Sequence, residues 1–143
     1  MSGIVRLVTD TARPKHVDMF YYTSTTVDLA DGNLTSLLLT DTTYGLGKSI
    51  EKSPASTTAI CPGPVDRAVD ASVDGPLWVP IVTQGVKDGC TTSSLTALDE
   101  VGQVATLGTM GDASTDAGKA IGMALNTDDE VWFFGLYRCT APA

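Results

Sequence analysis

An all-β fold is what this sequence predicts, and three observations carry the expectation. Twenty of the 143 residues are Thr, a β-branched side chain that suits a pleated, half-solvated strand better than a helix. Fourteen Gly and seven Pro reverse the chain often, and no stretch sustains the 3.6-residue apolar period of a long helix. The last third alternates short apolar runs with turns of small and polar residues, the pattern of a compact β module. The length is that of one ordinary domain, long enough to bury a core without covalent staples. The expected architecture is a small β-sandwich, jelly-roll or barrel-like domain over residues 17–143, with long loops and an N-terminal arm over residues 1–16.

Taken in order, residues 3–9 (Gly-Ile-Val-Arg-Leu-Val-Thr) read as a strand running into the Pro-broken polar segment 10–16. Residues 19–22 and 25–29 read as strand material, and Asp31-Gly32 signals a turn before a strand candidate at 34–40. Residues 41–56 read as a long surface loop. Thr57 to Cys61 is a strand candidate closed by Pro62-Gly63-Pro64, which continues neither regular structure. Val65 to Val73 is the one place expected to be helical, stopped by Asp74-Gly75-Pro76. Leu77 to Gln84 reads as a strand whose Pro80 argues for a sheet edge or a bulge, and Lys87 to Cys90 as a turn. Strands are expected again at 102–107, 120–125 and 130–137, with turns at 109–116 and 126–129.

The charge balance excludes whole classes of partner. Seventeen Asp and Glu against nine Lys and Arg give a net charge of −8. A surface of that sign repels phosphate backbones and anionic lipid, so neither nucleic acid nor membrane is expected as a partner. No apolar run approaches the roughly 20 residues of a bilayer-spanning helix. The first six residues lack a signal-peptide core, which predicts synthesis in a cytoplasm. Cys61, Cys90 and Cys139 are odd in number and widely spaced, and are expected as free thiols.

The motifs that invite chemistry are each incomplete. Gly47-Lys48-Ser49 matches the end of a phosphate-binding loop, but the glycine that loop needs five residues before Gly47 is Thr42. His16 is the only histidine and has no nucleophile or metal-ligand spacing around it. Asp128-Asp129-Glu130 supplies carboxylates without the spaced ligands of a calcium loop. Asn33-Leu34-Thr35 matches the glycosylation pattern by chance. No catalytic residue, cofactor or metal is expected.

The aromatic runs Phe20-Tyr21-Tyr22 and Trp132-Phe133-Phe134 carry more information. Successive strand residues point to opposite faces, so consecutive aromatics place a ring on both. One face fills a core and the other meets solvent or a partner, and aromatic residues are enriched at interfaces. These six residues, with Arg6, Arg13 and Lys15 of the locally basic arm, are the expected contacts with other subunits or a partner. A covering loop that buries both faces is the alternative.

The segment from Val79 to Leu136 resembles the small decoration (cement) proteins of tailed-bacteriophage capsids. The likeness lies in Gly102-Gln103-Val104-Ala105-Thr106-Leu107, the 109–116 turn, Ile121-Gly122-Met123-Ala124-Leu125 and the apolar strand from Val131 to Leu136. The closing strand is more aromatic than in that family, and the first half of the chain falls outside the likeness. The resemblance implies a non-enzymatic virion protein that binds the outer capsid lattice and stabilises it. Its partners would be the major capsid protein and itself, as a homo-oligomer, expected to be a trimer. Another phage head or tail structural protein, and a carbohydrate-binding β-sandwich using Trp78 or Trp132, are the rival readings.

Overall fold

The computed structural model of the chain describes residues 14–54, 59–113, 120–126, 129–135 and 139–140. The expected strand over residues 3–9, with Arg6 and Arg13, lies outside them. The strands are β1 (Lys15–Tyr22), β2 (Leu34–Leu37), β3 (Ser49–Lys52), β4 (Ala59–Ile60), β5 (Gly63–Pro64), β6 (Leu77–Lys87), β7 (Thr92–Ser93), β8 (Glu100–Gln103), β9 (Met110–Asp112), β10 (Gly122–Ala124), β11 (Val131–Phe134) and β12 (Cys139–Thr140). One helical turn, α1 (Ala71–Asp74), interrupts them. Ten strands form one curled sheet in the order β5-β2-β3-β1-β6-β11-β10-β8-β9-β7, a half-barrel, and β12 pairs with β4 beside it. The protein is all-β.

Several sequence expectations change in detail. Lys15 and His16 are not part of an arm: they open β1 and pair with Gly85 and Gln84 of β6. The helix expected over Val65–Val73 shrinks to α1, because Val65 and Val69 are drawn into single bridges with Ile81 and Leu29. What remains helical is held by Asp70, whose carboxylate accepts from the Ser72 and Val73 N–H groups at the N-cap. The 41–56 loop contains β3, since Ile50 is fully buried and its strand pairs with β1 and β2 together. Of the strand expected at 25–29, Leu29 alone pairs, through its bridge to Val69. The turn expected at 109–116 contains β9.

Pro80 does not lie in an edge strand, since β6 is internal to the sheet, and the proline is accommodated locally. β6 is flanked by β1 and β11, yet β11 pairs only with Gln84 to Lys87. At Pro80 the side away from β1 carries no ladder and meets the segment after β5, through the Val65–Ile81 bridge and the Asp66 N–H, which donates to the Pro80 carbonyl at 2.8 Å. N–H and C=O of one strand residue point the same way, so the missing proline donor faces away from β1 and costs the β1–β6 ladder nothing. The bulge sits three residues later, where Val17 faces Val82 and His16 faces Gln84, leaving Thr83 as the extra residue.

Two cores lie on opposite faces of the sheet. Phe20, Tyr22, Ile50, Val65, Val79 and Ile81 gather in the first, where β5 returns to touch β6 through the Val65–Ile81 bridge. Gly63 permits this return: its φ is +151°, and a Cβ there would stand 2.0 Å from the Val82 carbonyl oxygen. Leu34, Val82, Val101, Met110, Val131 and Phe133 belong to the second core. Ile81 and Val82, adjacent in β6, thus enter different cores on opposite faces of one sheet. Asn33, in the apparent glycosylation motif, is buried and ties the two halves. Its Oδ1 accepts from the Ala30 N–H at 2.7 Å and its Nδ2 donates to Thr91 at 2.9 Å.

Candidate functional site

The sheet register decides which aromatic rings are available to a partner. Along β1, Val17, Met19 and Tyr21 share one face, and His16, Asp18, Phe20 and Tyr22 share the other. Tyr21 lies opposite Trp78, and Met19 opposite Pro80. Tyr44, from the loop between β2 and β3, completes a triangle: ring centroids are 4.7 Å from Tyr21 to Tyr44, 5.4 Å from Tyr21 to Trp78 and 5.0 Å from Tyr44 to Trp78. Met19, Tyr44 and Trp78 are 53, 50 and 40 % exposed. The rings touch one another too closely to leave a ligand-sized gap, so they present a continuous apolar knob. Burial and the neighbouring Tyr44 raise the Tyr21 phenol above its usual pKa.

A second aromatic face lies beyond the bulge. Trp132 pairs with Val86 and Phe134 with Gln84, while Val131 and Phe133 between them enter the second core. Trp132 is 46 % exposed, and its ring meets that of Phe134 edge-on at 5.6 Å. Gln84 also faces His16, which shares its side of β1 with Phe20. The Trp132–Phe134 patch therefore lies on the face that carries the first core, and the Tyr21–Trp78 patch on the face that carries the second. The two patches point away from one another and are separated by roughly 25 Å along β6, at about 3.3 Å per residue.

The nine expected contact residues therefore separate. Phe20, Tyr22 and Phe133 are core side chains, 6, 1 and 1 % exposed, and are corrected accordingly: the inward half of each aromatic run fills its own domain. Tyr21, Trp132 and Phe134 face outward. Lys15 is engaged inside the domain, its Nζ 2.8 Å from Asp66. Arg6 and Arg13 lie outside the described residues. The sequence pointed to Trp78 only as a sugar-stacking ring, although Leu77-Trp78-Val79 obeys the same both-faces rule. Tyr44 carried no signal, because a loop aromatic acquires meaning only from what it packs on.

Charged groups complete the site region. Lys87, with a side chain only 7 % exposed, reaches Asp31 at 2.8 Å and Asp66 at 3.0 Å. Burial alone would raise Asp66, but hydrogen bonds from Lys15 and Lys87 outweigh it and hold the carboxyl below its usual range. Burial would lower Lys87, and its bonds to Asp31 and Asp66 raise it instead. His16 is exposed on β1, with Nε2 3.0 Å from Asp18, whose other oxygen accepts from the Thr83 hydroxyl at 3.0 Å. Both partners bind the carboxylate, so the order nucleophile–histidine–acid is absent from this trio. The Gly45–Ser49 segment leads into strand β3, where a phosphate loop would lead into a helix. Cys90 is a buried free thiol pushed up to about 12, chiefly by burial. Cys61 is buried with its sulfur 3.8 Å from the Ser53 hydroxyl. Among the described residues, no group of three or more His, Cys, Asp or Glu is placed to hold a metal ion.

Two depressions accompany the aromatic faces. An open groove of about 320 Å³ runs between Pro14-Lys15-His16 and Trp132, floored by Gln84, Gly85 and Val86. A more enclosed pocket of about 270 Å³ lies at the end of β1, walled by Tyr22, Val27, Leu38, Ile50 and Leu107, with Glu51 and Lys52 of β3 on its lining. Comparison of the chain with protein-family models, with curated proteins and with solved structures gives no match.

Proposed function

We propose that this protein is a non-enzymatic structural module that bridges neighbouring protein surfaces, and that its setting is the outer lattice of a bacteriophage capsid. The observation that carries the bridging role is the pair of exposed aromatic patches on opposite faces of one sheet. A single docking face makes a ligand; two faces that point apart make a connector. Each patch offers rigid rings in mutual contact, the kind of side chain that dominates binding energy at interfaces. Burial of such area at about 25 cal/mol per Å² is modest for one contact, but repetition over a shell multiplies it through avidity. The net charge of −8 favours a complementary basic surface and opposes non-specific self-association. The capsid assignment rests on the sequence resemblance between Val79 and Leu136, and a homotrimer that binds the major capsid protein is the assembly it implies.

Co-sedimentation with purified shells tests the proposal. The wild-type chain should pellet with shells, and in native particles its copy number should scale with that of the major capsid protein. Trp78→Ser and Trp132→Ser should each reduce retention while leaving the fold intact. Retention unchanged in the double variant would refute the aromatic faces as the contacts. A copy number of one per vertex would move the protein to the head-completion or tail class.

One observation favours a second reading. Trp132 borders an open groove with Gln84 and His16 beside it, and an exposed indole next to polar groups suits stacking on a sugar ring. A glycan array on which wild-type protein binds and Trp132→Ser does not would establish carbohydrate recognition at this face.

A further inference from the structure

β1 is an inner strand of the sheet by order, yet most of one side of it is bare. β3 pairs only with Tyr21 and Tyr22, and the Tyr21 N–H donates to the Lys48 carbonyl at 2.9 Å, away from β6. Alternate residues of a strand direct their N–H and C=O to the same side, so Lys15, Val17 and Met19 also turn theirs away from β6. The intervening residues have the opposite phase. The Pro14 carbonyl accepts from the Val86 N–H at 3.3 Å and the His16 carbonyl from the Thr83 hydroxyl at 3.4 Å, both toward β6. Among the described residues, no backbone hydrogen bond reaches Lys15, Val17 or Met19 from the open side. The strands at the two ends of the sheet, β5 and β7, are two residues each and make shorter templates. An unpaired edge invites another strand, and proteins that must stay single blunt it with a projecting charge or a bulge. Neither device operates on this one. The Lys15 ammonium is drawn off to Asp66 at 2.8 Å, and the bulged residue, Thr83, belongs to β6.

The open stretch is symmetric about Val17, and this symmetry identifies its occupant. Pro14, which has no N–H, bounds it at one end, and the Tyr21–Lys48 bond bounds it at the other. We propose that β1 pairs edge to edge with β1 of a second copy of this chain, antiparallel about a two-fold axis through Val17. In that register Val17 faces the partner's Val17, and Met19 faces the partner's Lys15. The outward N–H and C=O groups of Lys15, Val17 and Met19 on both copies are then bonded. His16 faces the partner's Asp18, and the two-fold axis forms that pair twice. His16 already lies 3.0 Å from its own Asp18, so imidazoles and carboxylates alternate along one face. On the other face Met19, 53 % exposed, lies across the aliphatic stem of the partner's Lys15. Neighbouring registers do worse. An axis through Asp18 sets like carboxylates opposite one another, which is repulsive, and sets Lys15 against Tyr21, whose N–H is already taken. An axis through His16 carries Met19 past the proline. The contact goes beyond the capsid reading, because it needs no shell. It joins copies in pairs, so it is distinct from any three-fold contact.

Sedimentation and amide hydrogen exchange of the full chain test the contact. Sedimentation should show monomers passing into pairs between about 1 μM and about 1 mM. Exchange followed by nuclear magnetic resonance at the two ends of that range should slow at least about tenfold at the Val17 and Met19 amides. The Asp18 and Phe20 amides, which face β6 in monomer and pair alike, should not change. Met19→Lys sets a second lysine against the partner's Lys15, twice in each pair, and should raise the dissociation constant at least about tenfold. A monomer throughout the range overturns the proposal. So does an oligomer in which the Val17 and Met19 amides exchange as fast as in the monomer, which would move the contact to another face. Equal protection of those amides at both concentrations also overturns it, since the chain would then cover its own edge. These outcomes are read on wild-type protein, so they stand even if Met19→Lys fails to fold. Pairing through β1 with no shell retention would refute the capsid reading and leave this contact standing; shell retention by a chain whose Val17 and Met19 amides stay unprotected at high concentration would do the reverse.

Discussion

Replacing Lys87 by Met should destabilise the fold by about 2–3 kcal/mol, and the size of the effect follows from how unevenly its partners are exposed. Breaking a fully buried ion pair by removing one member costs roughly 3–5 kcal/mol, because the surviving charge is stranded. Here the Lys87 side chain is 7 % exposed, but Asp31 is 56 % exposed and readily recovers water. Asp66, 18 % exposed, keeps Lys15 at 2.8 Å. The stranded charge is thus only partly stranded, and Met preserves the apolar stem, which brings the cost below the buried limit. Urea unfolding at pH 7 should show a lower midpoint at unchanged slope, and a melting temperature lower by about 5–10 °C. The pH dependence carries the sign of each shift. Asp66 is depressed in the fold, so its contribution is present above the unfolded carboxyl value near ~3.9 and fades as pH falls through its folded pKa. Lys87 is raised, so its contribution is present below the unfolded value near ~10.4 and fades as pH rises through its folded pKa. Between those limits the difference between wild type and variant should stay flat. A difference within about 0.5 kcal/mol at pH 7, or one that changes steadily between pH 5 and pH 9, would refute the role assigned to the network.

Phe20→Ser should cost about 3–5 kcal/mol by opening the first core, whereas Tyr21→Ser, one residue away, should cost no more than about 1.5 kcal/mol and be felt chiefly in shell retention; comparable losses of stability would show that the β1 faces are misassigned. Cys90 should resist a thiol-directed disulfide reagent at pH 8 in the folded protein and react in urea, because burial holds the thiol up at about 12; rapid labelling of native Cys90 would contradict that burial. Gly63→Ala should destabilise by at least about 1–3 kcal/mol, since its Cβ would meet the Val82 carbonyl at 2.0 Å; a neutral outcome in urea unfolding would mean that β5 does not approach β6 so closely.

The all-β class was legible in the sequence because it depends on local chemistry. β-branched threonines, alternating apolar runs and Gly/Pro punctuation act within a few residues, and the strands at Met19–Tyr22, Leu77–Gln84 and Val131–Phe134 were read from them. The rule that consecutive aromatics serve two faces was equally local, but it named all six rings as contacts and left burial of both faces open. Which member went inward was not local. Phe20 and Tyr22 turn in, and Tyr21 out, because β1 pairs with β6 in a register that aligns Phe20 with Val79 and Tyr21 with Trp78. β3 was hidden among glycine and lysine because a four-residue strand supported on both sides needs little propensity of its own. Tyr44 gained its role only when a loop of about ten residues, the kind sequence reads merely as polar, brought it against two strands. Above all, the opposition of the two aromatic faces depends on Thr83, a single bulged residue after which Gln84 and Val86, the partners of Phe134 and Trp132, point to the face opposite Val82. Composition and periodicity fix what each strand prefers to bury. The register and the bulge, set by pairing between residues some 65 apart in the chain (Asp18 and Thr83 among them), decide on which side of the molecule each remaining ring is left exposed.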